Sequence, residues 1–227
     1  MSSRDAMLGR IRTALGRGPL GPDEAATVNA GLTEPARNLV PDRAQGKPQD
    51  LIERFIAMAT EASASIDRLS DISEAPARIS AYLASQNLPK ALRRADHSLL
   101  ETPDWQAGSL LSVSTGATDG NDLVGLSVAL CGVAETGTLV MASGPQSPIT
   151  LNFLPDTHIV VVQTGDIVGG YEDSWDRLRQ HMGASRVMPR AVNFITGPSR
   201  SADIEQTLLL GAHGPRRLHI LLLDDPA

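Results

Sequence analysis

His158-Ile159-Val160-Val161-Val162 is apolar at every position after the histidine, so a strand formed here is buried on both faces rather than on one. Strands of that kind belong to parallel sheets sandwiched between other layers. The neighbouring sequence repeats the theme. Leu123 to Leu130, Gly137 to Met141 and Leu218 to Leu223 read as further strands, and Leu110 to Val113 is expected to open the sheet. Helical periodicity falls between them, at Tyr171 to Met182 and at Ala202 to Leu210. Upstream, Asp50 is placed to cap a helix with Glu53 three residues on, and Leu51, Phe55 and Met58 supply its apolar face through residue 60. A second helix is expected from about Glu74 to Gln86, with Ile79, Tyr82 and Leu83 inward. Alternating strands and helices of this order predict an α/β domain, a mostly parallel sheet with helices on both faces.

That domain is expected to fill residues 50–227. Residues 1–49 differ: Met7, Leu8, Ile11 and Leu15 place an apolar stripe on a short amphipathic helix, and Gly16 to Gln49 turns to Gly, Pro, Asn and Asp without a period. This reads as an extended arm or linker whose helix needs a partner, and a homo-oligomer formed through the arm would provide one.

Composition removes several classes of function. With 20 Lys and Arg against 26 Asp and Glu, the net charge is −6, which disfavours a nucleic-acid partner. Two Trp, two Tyr and three Phe leave few stacking platforms for bases. One cysteine, Cys131, allows neither a disulfide framework nor a metal or iron–sulfur cluster held by thiolates of this chain, and its apolar setting reads as a core thiol. No long apolar span marks a membrane helix, and the first residues lack the apolar core of a secretory signal; a cytoplasmic location is expected. Neither a P-loop nor a dinucleotide fingerprint is present. The histidines show no metal-ligand spacing, and His158 and His219, each flanking an apolar strand, are expected to be structural.

Chemistry concentrates in two stretches. In Glu135-Thr136-Gly137-Thr138 one carboxylate and two hydroxyls surround a glycine between apolar strands, where an ionised group must be paired or used. Glu135 is the candidate catalytic residue, as base, nucleophile or ligand acceptor, and the alternative is a hydrogen-bonded turn. Thr136, Gly137 and Thr138 are candidate binding residues beside it. In the second stretch, Thr196, Gly197, Ser199, Arg200 and Ser201 follow an apolar run and precede the expected helix, whose first turn holds Asp203 and Glu205. A helix start at a strand end gathers unpaired N–H groups, and Arg200 adds a fork for a small carboxylate or phosphate. His213, in Gly211-Ala212-His213-Gly214-Pro215, either reaches the same edge or caps the helix end. Asn152 can add an amide, with a capping or surface role as the alternative.

Taken together and in order, Ala134-Glu135-Thr136-Gly137-Thr138, Leu154-Pro155 with His158, Gly197 to Glu205 and Gly211 to Pro215 resemble the LUD-domain family. The likeness covers roughly residues 50 to 225. It implies a fold similar to the sugar-phosphate isomerase and CoA-transferase group (NagB/RpiA/CoA-transferase-like) and a part in converting L-lactate to pyruvate. In that family the system is typically three proteins, two of them carrying cysteine-rich iron–sulfur or redox segments, and this chain resembles the member without clusters. The resemblance therefore implies no cofactor bound by this chain, with iron–sulfur clusters in partner proteins. Two other readings stand beside it: an independent CoA-transferase-like or isomerase-like enzyme using Glu135, and a ligand-sensing or structural protein of the same fold.

Overall fold

The computed structural model describes residues 2–33, 36–105, 110–183, 187–204, 207–211 and 213–225, with backbone alone at 32–33, 201–204 and 207–210. The chain divides into two units, Met1–Leu39 and Val40–Ala227. In the first, helix α1 (Ser3–Ala14) begins with a reciprocal cap: Asp5 N–H donates to Ser2 Oγ at 3.2 Å and Ser2 N–H donates to the Asp5 carboxylate at 3.1 Å. Helix α2 (Pro22–Thr33) lies within the stretch expected as an arm. Proline at its first position supplies a helical φ, and Gly21 N–H donates to Glu24 Oε2 at 3.0 Å.

The first α-helix of the second unit is α3 (Pro48–Glu61), which begins three residues earlier than a cap at Asp50 implies. Pro48 occupies the first helical turn, so Asp50 is not the cap; its carboxylate reaches back to Lys47 N–H at 3.3 Å. Strand β1 (Ser65–Leu69) follows, then α4 (Ala75–Ser85), β2 (Ala91–Arg94), β3 (Ser112–Thr115), β4 (Val124–Val128), β5 (Cys131–Val133), β6 (Thr138–Ala142), the single turn α5 (Thr150–Phe153) and β7 (Thr157–Gln163). The chain continues through β8 (Ile167–Val168), α6 (Tyr171–Met182), β9 (Val192–Ile195), β10 (Arg200–Ile204), β11 (Thr207–Leu210) and β12 (Arg217–Leu223).

Six strands form a fully parallel sheet in the order β1-β12-β7-β4-β2-β3. The central strand β7 shows why its sequence is apolar throughout. Ile159 and Val161 point into one core with Leu69, Ile79, Leu83, Leu126 and Leu221. Val160 and Val162 point into another with Phe55, Ala59, Leu139, Met141, Ile220 and Leu222. The first face is covered by α4 and α5. The second is covered by α3 together with a four-stranded mixed sheet, β8-β5-β6-β9, which is a layer the sequence reading did not anticipate. Cys131 lies fully buried in that layer, and burial pushes its thiol up to about 12, as befits an inert core residue.

Three elements differ from expectation. The sheet is not opened at Leu110 to Val113: β1 and β2 precede that segment, and β3 is an edge strand. Both earlier strands carry charged residues (Asp67, Arg68, Arg93, Arg94), which interrupts the apolar pattern. The third difference is larger. Where a helix is expected at Ala202 to Leu210, the described residues are strands: β10 and β11 pair as an antiparallel ribbon, with Arg200 opposite Leu210 and Ser201 opposite Leu209. Gly211 N–H donates to Ser199 O at 3.0 Å and Ser199 N–H donates to Pro215 O at 2.8 Å. A nine-residue helix would rise about 13 Å and carry Gly211 far from Ser199, so this closure at the base selects the ribbon.

Candidate functional site

Strand β9 runs antiparallel to β6, with Ile195 opposite Leu139, and so delivers Thr196 beside Thr138; their Oγ1 atoms are 2.6 Å apart. Gly197 then turns the chain with φ +71°, and a Cβ there would lie 2.1 Å from Ala62 O, a contact only glycine permits. Arg200 reaches back to the end of α3, its Nη2 donating to Ala62 O at 2.8 Å and to Ser63 Oγ. A cation on the last carbonyls of a helix is favourable. No helix starts after Ser201, so the N–H groups expected there are absent: the following residues are strand, and Nη2 of Arg200 is engaged at the far end of another helix.

What the turn does build is a cavity of about 260 Å³. Thr196, Gly197, Ser199, Arg200 and His213 line it with Phe194, and Asn152 and His158 lie on its floor. Asn152 and His158 are 2% and 0% exposed. His158 Nε2 shares a hydrogen bond with Ser127 Oγ at 2.6 Å, and burial drives the ring down to about 3, so the imidazole is neutral. The cavity thus combines a neutral hydrogen-bonding floor with a rim that carries a guanidinium. His213 belongs to this rim, with no helix at Ala202 to Leu210 for it to cap. Of the remaining sequence candidates, Ser201 and Asp203 lie in β10, described by backbone alone, and Glu205 lies outside the described residues.

The Glu135 turn is joined to the cavity without lining it. Gly137 has φ +65° and packs against α3 so closely that a Cβ would sit 2.2 Å from Ala59 N. On either side of it the hydroxyls of Thr136 and Thr138 meet at 2.7 Å, and the Tyr171 hydroxyl bridges them at 3.0 and 3.2 Å. With Thr196 these groups make a continuous chain of hydroxyls from the turn to the cavity rim. Glu135 itself, 8% exposed, faces elsewhere. Its Oε1 accepts from Arg43 Nε at 3.0 Å and Nη2 at 2.7 Å, and its N–H donates to Gly169 O at 3.0 Å. Through Oε1 the carboxylate fastens the segment ahead of α3 to the rest of the unit.

A second cavity, of about 600 Å³, opens at the carboxyl ends of β4 and β7, where open α/β sheets commonly take ligands. His97, His181, Asp166 and Gln163 line it, and sequence reasoning singled out none of them for a site. Burial holds His97 below the usual histidine range, against an opposing pull from Glu101, and burial raises the Asp166 carboxyl. The signal lies in topology, since only the strand order places these residues together. Among the described residues no group of three or more His, Cys, Asp or Glu is placed to hold a metal ion.

A three-layer α/β protein with a small polar cavity beside a hydroxyl-lined turn is the class these features define. The family model for the LUD domain matches residues 52–223, and the chain belongs to that family. It is similar to lactate utilization protein C of Geobacillus thermodenitrificans (strain NG80-2), 35% identical over 102 residues, which are 45% of this chain and 42% of the relative. Lactate utilization protein C of Bacillus subtilis (strain 168) is 32% identical over 148 residues, 61% of this chain and 62% of the relative. The chain thus spans less than two thirds of the length of these relatives. The crystal structure of a DUF162 family protein from Deinococcus radiodurans shares the fold, with TM-score 0.56 at 18% identity over 79% of this chain and 99% of the other.

Proposed function

We propose that this chain takes part in lactate utilization as the non-cluster subunit of an iron–sulfur protein system that oxidises L-lactate to pyruvate. The observation that carries the reading is the LUD-domain match over residues 52–223, joined to relatives named lactate utilization protein C. Oxidation removes two electrons and two protons from L-lactate. A chain whose only cysteine is the buried Cys131 offers no thiolate set for an electron-accepting cluster, so the electrons pass to clusters in the partner proteins. The role left to this subunit is to bind or position the small carboxylate, or to complete the assembly.

Affinity-tagged chain recovered under anaerobic conditions from lactate-grown cells of its own host should bring with it a protein whose visible iron–sulfur absorption bleaches on reduction. Recovery of this chain alone, from cells in which the cluster-bearing proteins are abundant, would contradict the reading. The independent-enzyme alternative draws less support, because the Glu135 carboxylate on which it depends is held by Arg43 and is not among the residues lining the cavity.

A further inference from the structure

Buried polar atoms in folded proteins are almost always hydrogen-bonded, and each exception asks for a partner. Among the described residues, Asn152 Oδ1 and His158 Nδ1 are buried without one, and both residues line the same 260 Å³ cavity. The other such atoms, on Thr157, Asn193 and His219, belong to residues outside its lining. The floor is electrically neutral: an amide, and an imidazole whose other nitrogen is taken up by Ser127 Oγ. A single hydroxyl group has both the donor and the acceptor that these two atoms call for. It would donate its proton to Asn152 Oδ1 and accept from His158 Nδ1–H, in the tautomer in which the Ser127 hydroxyl donates to His158 Nε2. A carboxylate cannot do the same, because it has no proton to give to Oδ1. The rim differs in kind, with Ser199 and Arg200 lining it, a hydroxyl and a guanidinium of which, among the described residues, Nη2 alone is engaged at Ala62 O and Ser63 Oγ, groups suited to a negative charge. A volume just below the usual range for ligand pockets fits a molecule of few heavy atoms.

We propose that this cavity binds a small 2-hydroxycarboxylate, with its hydroxyl on the Asn152–His158 floor and its carboxylate at the Ser199–Arg200 rim. The choice of L-lactate as the probe rests on the lactate-utilization reading; the recognition of a hydroxyl does not. Sequence reasoning gave Asn152 a capping or surface role as its alternative and His158 a structural one. Here they are the residues that tell a hydroxy acid from its deoxy analogue.

Calorimetric titration of the full chain with L-lactate and with propionate, which lacks only the hydroxyl, tests this directly. L-Lactate should bind at least about tenfold more tightly, since propionate leaves buried groups unpaired. Asn152→Leu, close to isosteric, should erase the difference while leaving the thermal unfolding cooperative. Equal affinity for the two acids, or saturable binding of neither, would overturn the proposal; the comparison of the acids on the unaltered chain needs no variant to fold. If neither binds and reconstituted lactate oxidation still requires this chain, the cavity assignment fails and the subunit reading survives. If L-lactate is preferred and oxidation proceeds without the chain, the subunit reading fails and the cavity assignment stands.

Discussion

His158 and His219 lie inside β7 and β12 with rings held neutral by burial, His158 down to about 3 and His219 to about 4. His219 is stacked on Tyr82 at 3.8 Å between ring centres, and its Nδ1 meets Ser65 Oγ at 2.9 Å. In the unfolded chain both rings take up protons near 6.5, so below that pH the unfolded state binds more protons than the folded one. The stability these neutral rings preserve is complete above about pH 6.5 and is lost as the pH falls towards 4 and 3. Each contributes a slope of at most about 1.4 kcal/mol per pH unit in that window. Urea midpoints should fall between about pH 6.5 and 5, and more shallowly in His219→Gln; equal slopes in variant and parent would contradict the assignment. Glu135 leads to a second expectation. Its ion pair with Arg43, whose side chain is 70% exposed, is worth no more than about 1 kcal/mol, so Glu135→Gln should fold almost as stably as the parent. Because the carboxylate is held by Arg43 and does not line the cavity, lactate-dependent turnover of the assembled system should be unchanged in this variant; a loss of turnover at unchanged stability would return Glu135 to the chemistry. Residue types were legible here because chemistry-bearing side chains stand out between apolar runs. The direction of the Glu135 carboxylate was not, because its partner lies 92 residues away.

At the scale of elements, two turns meet one helix. Gly137 and Gly197 both have positive φ and both press on the last turn of α3 or the residue after it, at Ala59 and Ala62. Alanine at either site adds backbone strain to a steric clash, and a loss of about 2–4 kcal/mol is expected for each. Gly144→Ala, with nothing within 4 Å of the new Cβ, serves as the control and should change stability by about 0.5 kcal/mol or less. Chemical denaturation of the three variants checks this, and equal midpoints for all three would contradict the packing described. Helix α6 was legible to the residue at Tyr171–Met182, since its acidic first turn and basic last turn agree with its dipole. The ribbon of β10 and β11 was not legible. Its acidic residues after a Gly/Ser turn imitate a helix start, and the backbone closure between Ser199 and Gly211 that selects strands is a contact visible only in three dimensions.

For the whole molecule, the parallel sheet could be read from β7 and β12 because burial on both faces leaves an unbroken apolar run. The layer made by β8, β5, β6 and β9 could not, since its antiparallel pairs look in sequence like more of the same sheet. That layer matters for the site, because β6 and β9 bring Thr138 and Thr196 together and so join the two motif regions by a chain of hydroxyls. The fold and family set these residues in place, and the lactate-oxidising assembly is the function proposed for them. It is tested most directly by lactate-dependent dye reduction with the anaerobically purified cluster-bearing partners, measured with and without this chain. The subunit reading predicts that reduction requires the chain and is restored when it is added back; partners that reduce the dye equally well alone would contradict it.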